Sequence, residues 1–394
     1  MTVYYDPYDV DINADPYPTF KQLRDEAPLY YNDRYDVWAL SRHADVEQAL
    51  INWQTFSSSH GDILEVVQSG IEIPSGTLLW EDPPIHTKHR GLMARVFSPK
   101  RMNDLEEQVR AYCVSCLDQL IGTDRFDFVN DLGAEMPMRV IGMLLGIPES
   151  DQTTVREHAD EVLRSEPGQP IRVKEGAAVV SGSLFADYID WRAQHPSDDL
   201  MTALLNAEFE DEDGEVRTLT RAEVLTYTEV VAGAGNETTG RLIGWLGKVL
   251  GDHPDQRREL VNGRALIPNT IEETLRFEPT GPHIARWVAR DVEYYGTTVP
   301  RGSAMLLLVG SADRDERRYT DPDRFDIHRD EGPHLTFGFG LHFCLGAHLA
   351  RLEGRIALDE VLNRFPDWDV DYDNIQLAQT STMRGWKTMP VHIG

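Results

Sequence analysis

Cysteine is scarce in this sequence, with three in 394 residues. So few thiols cannot staple a chain this long, which excludes a disulfide scaffold and makes a reducing cytoplasm the expected compartment. Long apolar runs are missing too. No stretch approaches the roughly 20 apolar residues of a bilayer span. The opening MTVYYDPYDVDINADPYP has neither the basic start nor the apolar centre of a secretory signal, so no membrane anchor is expected. Positive charge is in deficit, 38 Lys and Arg against 66 Asp and Glu, for a net −28. Such a balance repels nucleic acid and anionic lipid at long range while leaving room for a local basic patch. There is no internal repeat and no low-complexity tract. What is present, 41% hydrophobic and 26% charged residues, is the composition of an ordinary globular protein.

Local patterns predict an α+β fold, mainly α with a small β region, in a single large domain spanning 1–394. Leu29–Tyr31 and Tyr35–Leu40 alternate as paired strands about Asn32-Asp33. From Ala44 to Arg276 the pattern is mostly helical, with periodic apolar positions in Leu105–Leu120, Met136–Leu145 and Leu200–Ala207. Glu208 to Glu215, six acids around a Phe and a Gly, predicts a solvated loop. Strands are expected at Trp287–Ala289, Val292–Tyr295 and Met305–Val309, and a final helix from about Cys344 to Phe365.

One helix should cross the whole domain. Thr220 and Glu223 form a capping-box pattern, and no proline interrupts the chain until His253-Pro254. Some thirty residues at 1.5 Å each span roughly 45 Å. Its middle reads Ala232-Gly233-Ala234-Gly235, where each glycine costs about 1 kcal/mol relative to alanine. Glycine there implies that something flat approaches closely, or that the helix opens locally.

The sharpest chemical feature is Phe337-Gly338-Phe-Gly340-Leu-His342-Phe-Cys344-Leu345-Gly346. A cysteine at the end of a glycine-rich loop and at a helix start is placed where backbone N–H groups favour a thiolate. Glycines on either side clear the surface for a planar object. An isolated cysteine of this kind would read as a buried cap, but the ten-residue pattern points to a thiolate ligand for haem iron.

These residues resemble the haem-thiolate loop of the cytochromes P450. Three further stretches match the family in order. Ala234-Gly235-Asn236-Glu237-Thr238-Thr239 is similar to its oxygen-activation motif, Glu273-x-x-Arg276 to its Glu-x-x-Arg motif, and Pro322-Asp-Arg324-Phe to the stretch that follows. The resemblance runs from about Asp15 to the C-terminus and implies the P450 fold, haem b, O2 as co-substrate, and Cys344 as the metal ligand. Ala234 and Gly235 would lie over the haem, where the helix opens locally. Thr238 would order the oxygen and water, and Glu237 would feed protons. Glu273, Arg276 and Arg324 would form a buried structural triad. His86, Arg90, Arg286 and His342 would meet the haem propionates, and Phe337, Gly338, Leu345, Gly346 and Ala350 would complete the cofactor contacts.

The resemblance also implies a soluble bacterial-type monooxygenase. The chain ends soon after the haem segment, so electrons are expected from NAD(P)H through a separate ferredoxin reductase and ferredoxin. The cations Lys88, Arg95, Lys100, Arg101 and Arg351 would form the docking patch on an otherwise acidic monomer. Ile73, Leu78, Leu79, Val231, Ala234, Ile284, Thr382 and Met383 would line an apolar pocket for a terpenoid, fatty acyl or sterol-like substrate. A peroxide-using or rearranging enzyme and a non-catalytic haem sensor are the alternatives; the Glu237-Thr238 pair argues against both. Cys113-x-x-Cys116 lacks a second pair and reads as structural. His89, His158, His195, His253, His334 and His348 show no metal-ligand spacing.

Overall fold

The long helix organises the molecule. In the computed structural model, which describes residues 3–73, 76–152, 168–170, 185–211, 214–378 and 382–394, it runs unbroken from Arg221 to Asp252. Both halves of the capping box form: the Glu223 N–H donates to Thr220 Oγ1 at 3.2 Å, and the Thr220 N–H donates to Glu223 Oε2 at 2.7 Å. Leu242, Ile243, Trp245, Leu246, Val249 and Leu250 are all buried, so this half of the helix is enclosed on several sides. It packs against segment Phe128–Gly133 and helices Met136–Leu145 and Ala347–Arg364. At its crossing with Gly133 the backbones nearly touch. A Cβ on Gly240 would sit 2.6 Å from the Gly133 carbonyl oxygen, so no larger residue fits without moving the helix.

A five-stranded sheet stands apart from the helical body. Its strands lie in the order Leu29–Asn32, Val37–Leu40, Ala304–Leu307, Ile284–Val288 and Phe56–Ser57. The Ala304–Leu307 strand runs parallel to Val37–Leu40 and antiparallel to Ile284–Val288. It is buried at every position because side chains on both faces enter a core. Ala304 and Leu306 join one apolar cluster with Phe20, Leu23 and Ala285, whereas Met305 and Leu307 join another with Val46, Phe56 and Val288. The period-2 alternation of a strand thus divides the two clusters.

Most expected elements appear with shifted ends. The final helix begins at Ala347, not Cys344, which leaves the cysteine in the loop before the first turn. The acidic segment differs more. Glu208–Glu210 and Val216–Thr218 pair as a hairpin rather than a loop. Phe209 anchors it, packing on the main core with the Arg217 guanidinium 4.6 Å over its ring. His158 lies outside the described residues.

Candidate active site around Cys344

Cys344 reaches its place through a tight backbone path. Gly338 and Gly340 both take positive φ, 71° and 73°, which side-chain-bearing residues adopt rarely. The Gly338 N–H donates to the Leu335 carbonyl at 2.8 Å, and the Cys344 N–H donates to the Phe337 carbonyl at 2.7 Å. The cysteine is exposed, yet protein surrounds it closely enough for burial to raise its thiol. Hydrogen bonds from the backbone of Gly346 and Ala347 and the charges of Arg90 and Arg351 pull the other way. Burial outweighs them and the thiol is raised overall, with these donors and cations offsetting part of that cost. A Cβ on Gly346 would meet nothing within 4 Å, so the floor beside the sulfur is clear. Leu345 and Ala350 are partly open beside it.

Four basic groups from three distant segments converge nearby. His86 and Arg90 come from helix Ile85–Val96, Arg286 from strand Ile284–Val288, and His342 from the cysteine loop. His86 is 1% exposed, and neither of its ring nitrogens has a hydrogen-bond partner. Its ring lies 4.3 Å from that of His342, whose Nε2 is equally unpartnered. Burial, then the charges of Arg286, His86 and Arg90, bring the His342 imidazole down to about 3. Arg286 is buried and donates only to the Ala285 carbonyl; Arg90 donates to the Phe343 carbonyl at 2.6 Å. Among the described residues no carboxylate hydrogen-bonds to any of the four. Asp62 and Asp82, which act on Arg286, are held by Trp80 and by Ser57 and Ser58. Buried cations and donors without an anion are costly unless a ligand supplies the charge. The cluster fits a group carrying two carboxylates.

The long helix carries the remaining expected site residues. Ala234 is exposed, and a Cβ at Gly233 would meet open space. Gly235 does not share this face: a Cβ there would strike Ile141 Cδ1 at 2.4 Å, so its hydrogen serves helix packing rather than ligand clearance. The helix is also continuous through this turn. Thr238 Oγ1 donates to the Ala234 carbonyl at 2.7 Å, a local bond the side chain can make without breaking the helix. Arg241 donates to Glu237 Oε1 at 2.9 Å and also to the Trp386 carbonyl. The Glu237 carboxylate is thereby moored to the C-terminal strand Trp386–Thr388. The spacing of Glu237 and Arg241, four apart on a helix, carried that signal in the sequence.

Below the loop, Glu273 is a buried node. Its carboxylate receives Arg276 at 2.7 and 2.8 Å, the Asp326 N–H at 2.9 Å and Arg329 Nε at 3.1 Å. Arg329 is the third member. Arg324 turns outward to Asp326 and is mostly exposed, because the chain reverses between the two arginines. Arg276 also donates to the Asp313 carbonyl at 2.8 Å, and Asp313 accepts from the Leu335 N–H at 2.7 Å and the Thr336 hydroxyl at 3.0 Å. Three steps of hydrogen bonding thus tie Glu273 to the residues just before Phe337. No sequence motif marks Arg329 or Asp313.

The basic cluster is largely neutralised. Lys88 is spent on the acidic hairpin, Lys100 pairs with Asp104, Arg101 with Asp198 and Arg351 with Glu272. Arg95 is exposed. Of the apolar residues expected to line a pocket, Leu78 and Val231 are buried in the main core, whereas Ile73, Leu79, Ile284, Thr382 and Met383 are at least partly open. Cys113 and Cys116 are buried in that same core, and burial raises both thiols.

An open cysteine beside a basic cluster that lacks a carboxylate partner is an arrangement suited to a haem-thiolate centre. Comparison with known proteins agrees. The family model for Cytochrome P450 matches residues 183–385. The putative cytochrome P450 123 of Mycobacterium tuberculosis is 39% identical, covering 98% of this chain and 96% of its own. Cytochrome P450 monooxygenase PikC of Streptomyces venezuelae is 34% identical, covering 97% and 92%. The structure of cytochrome P450 CYP109Q5 from Chondromyces apiculatus superposes with a TM-score of 0.87 at 31% identity, covering 100% and 99%. This chain belongs to the cytochrome P450 family and is an oxidoreductase, a monooxygenase of the bacterial type. The family implies haem, O2 and electrons derived from NAD(P)H. Among the described residues no helix is long and apolar enough to cross a membrane.

Proposed function

We propose that this protein inserts one atom of O2 into a lipophilic small molecule, with haem b held by Cys344 and electrons delivered by a ferredoxin. The observation that carries this reading is the convergence of four basic groups beside the Cys344 thiol: His86 and His342 Nε2 have no hydrogen-bond partner, and Arg90 and Arg286 donate to backbone carbonyls and to no carboxylate. The donors would hold the propionates, and the Cys344 sulfur would hold the iron. When bound, thiolate-ligated haem supplies the redox chemistry that cleaves dioxygen.

The chain's own residues supply position and protons. Ala234, small and open, would leave room over the haem. The Thr238 hydroxyl, which donates to the Ala234 carbonyl, would turn to donate toward the haem. Glu237, moored by Arg241, is one residue away and can pass protons inward when that ion pair opens. Leu79, Ile284 and Met383, all partly open, would exclude water and favour an apolar substrate. A terpenoid, fatty acyl or sterol-like molecule suits such a wall. The exposed Arg95 would meet the electron donor, with the paired Lys100 and Arg101 contributing less.

The test is the reduced, carbon-monoxide-bound spectrum of the wild type and of Cys344→Ala, followed by turnover with a ferredoxin and its reductase. A red-shifted Soret band lost in the variant, with product matching reductant consumed, supports the reading. Its absence from the wild type would remove the thiolate ligand and the oxygen chemistry with it. A normal band without coupled turnover would instead favour a peroxide-using enzyme or a haem sensor.

A further inference from the structure

Arg351 lies seven residues beyond Cys344, in the second turn of helix Ala347–Arg364. Its charge is committed inward. Nε and Nη2 grip the two oxygens of Glu272 at 2.7 Å each, and its Cζ lies 4.5 Å from the centroid of the Phe337 ring. Glu272 stands on helix Ile267–Phe277, beside the Glu273 node. His334 closes the other side, with Nε2 3.4 Å from Glu272 and its ring 5.7 Å from Phe337. Phe337 is also the residue whose carbonyl accepts the Cys344 N–H at 2.7 Å. One guanidinium plane thus spans from a helix to the aromatic ring at the head of the cysteine loop.

The chemistry of the pair is specific. A bidentate carboxylate fixes the orientation of a guanidinium as well as its position, and a guanidinium so fixed can lie over an aromatic face. A lysine keeps the charge but has neither the fork nor the flat face. Neither motif matching nor helix spacing links residues 272, 337 and 351. Only the fold brings them together.

We propose that Glu272 and Arg351 form a clamp on Phe337 that holds the cysteine loop in shape and keeps the Cys344 sulfur ligated to haem. Arg351 is in this view a positioning residue, independent of any role in meeting an electron donor. The inference rests on the haem-thiolate reading above.

The test uses holoprotein without a redox partner. Wild type, Glu272→Gln, Arg351→Lys and Arg351→Gln are reduced chemically, and the lifetime of the red-shifted carbon-monoxide band and the haem reduction potential are measured. All three variants should lose the band about ten-fold faster, because each breaks the fork. The potential separates charge from clamp. It should fall in Arg351→Gln, which loses a positive charge, rise in Glu272→Gln, which leaves that charge uncompensated, and hold in Arg351→Lys. A wild-type band lifetime in Arg351→Lys would overturn the clamp, since charge alone would then suffice. Absence of the band from the wild type would overturn the haem-thiolate reading itself, and the two failures are therefore distinct.

Discussion

Replacing Glu273 with alanine would strip the carboxylate that Arg276 and Arg329 share in the protein interior, leaving Arg329 with Glu331 and Arg276 with backbone carbonyls alone. The Glu273, Arg276 and Arg329 side chains are 2%, 3% and 8% exposed, so neither guanidinium can turn to bulk water in place. Breaking a buried ion pair by removing one partner costs about 3–5 kcal/mol. Unfolding entropy for 394 residues is about 0.8 kcal/mol per degree, which converts that loss to roughly 4–6 °C in apparent midpoint. Arg329→Ala should cost less, about 1.5–3 kcal/mol, because Arg276 still holds the carboxylate. Arg324→Ala, 67% exposed and bound to Asp326, should cost about 0–1 kcal/mol. The damage should also reach the haem, since Arg276, Asp313 and Thr336 link the node to the cysteine loop. The assay is thermal unfolding of the holoprotein together with the haem content of fresh preparations. A Glu273→Ala protein with full haem and a midpoint within about 1 °C of the parent would refute the node's role. An Arg324→Ala loss larger than that of Arg329→Ala would refute the assignment of its third member.

Four further outcomes are expected. Thr238→Ala should consume reductant as before but yield peroxide in place of product; an unchanged ratio of product to reductant would remove the hydroxyl from proton delivery. Arg286→Met should raise the thermal midpoint of the haem-free protein and speed haem release, because it deletes a buried charge whose proposed partner is a haem propionate; unchanged haem release kinetics would count against the propionate cluster. Burial alone would raise Glu272, but Arg351 and His334 outweigh it and bring the carboxyl from 4.5 to about 2. Its contribution to stability is therefore present above pH 4.5 and lost as pH falls toward 2, and Glu272→Gln should flatten that part of the stability profile. Arg95→Glu should slow electron transfer from a ferredoxin at low salt, with the difference shrinking as ionic strength rises and the Debye length falls to about 10 Å; Lys100→Glu should do less, since Asp104 already offsets that charge.

What the sequence determined by itself was carried by interactions within a few residues. Thr220 and Glu223 close their capping box across three positions, and the loop from Phe337 to Gly346 encodes its own path through glycines at positive φ. Such features need no knowledge of the rest of the chain, so the long helix and the cysteine loop were both legible. The apolar periodicity of Met136–Leu145 belongs with them. The tertiary structure decided matters in which residues near in sequence compete for one distant partner. Arg324 and Arg329 are both long, charged and five positions apart; only the chain reversal between them sends one to Glu273 and the other to solvent. Gly235 was legible as a close-approach site, but which neighbour approaches depends on where Ile141 falls across the helix crossing. The acidic hairpin reads as a loop until Phe209 finds the core, and the basic cluster reads as a patch until Glu210, Asp104, Asp198 and Glu272 arrive beside it. Charge is long-ranged and chemically unspecific, so a sequence states how much of each sign a protein carries, whereas the fold alone states which charges meet.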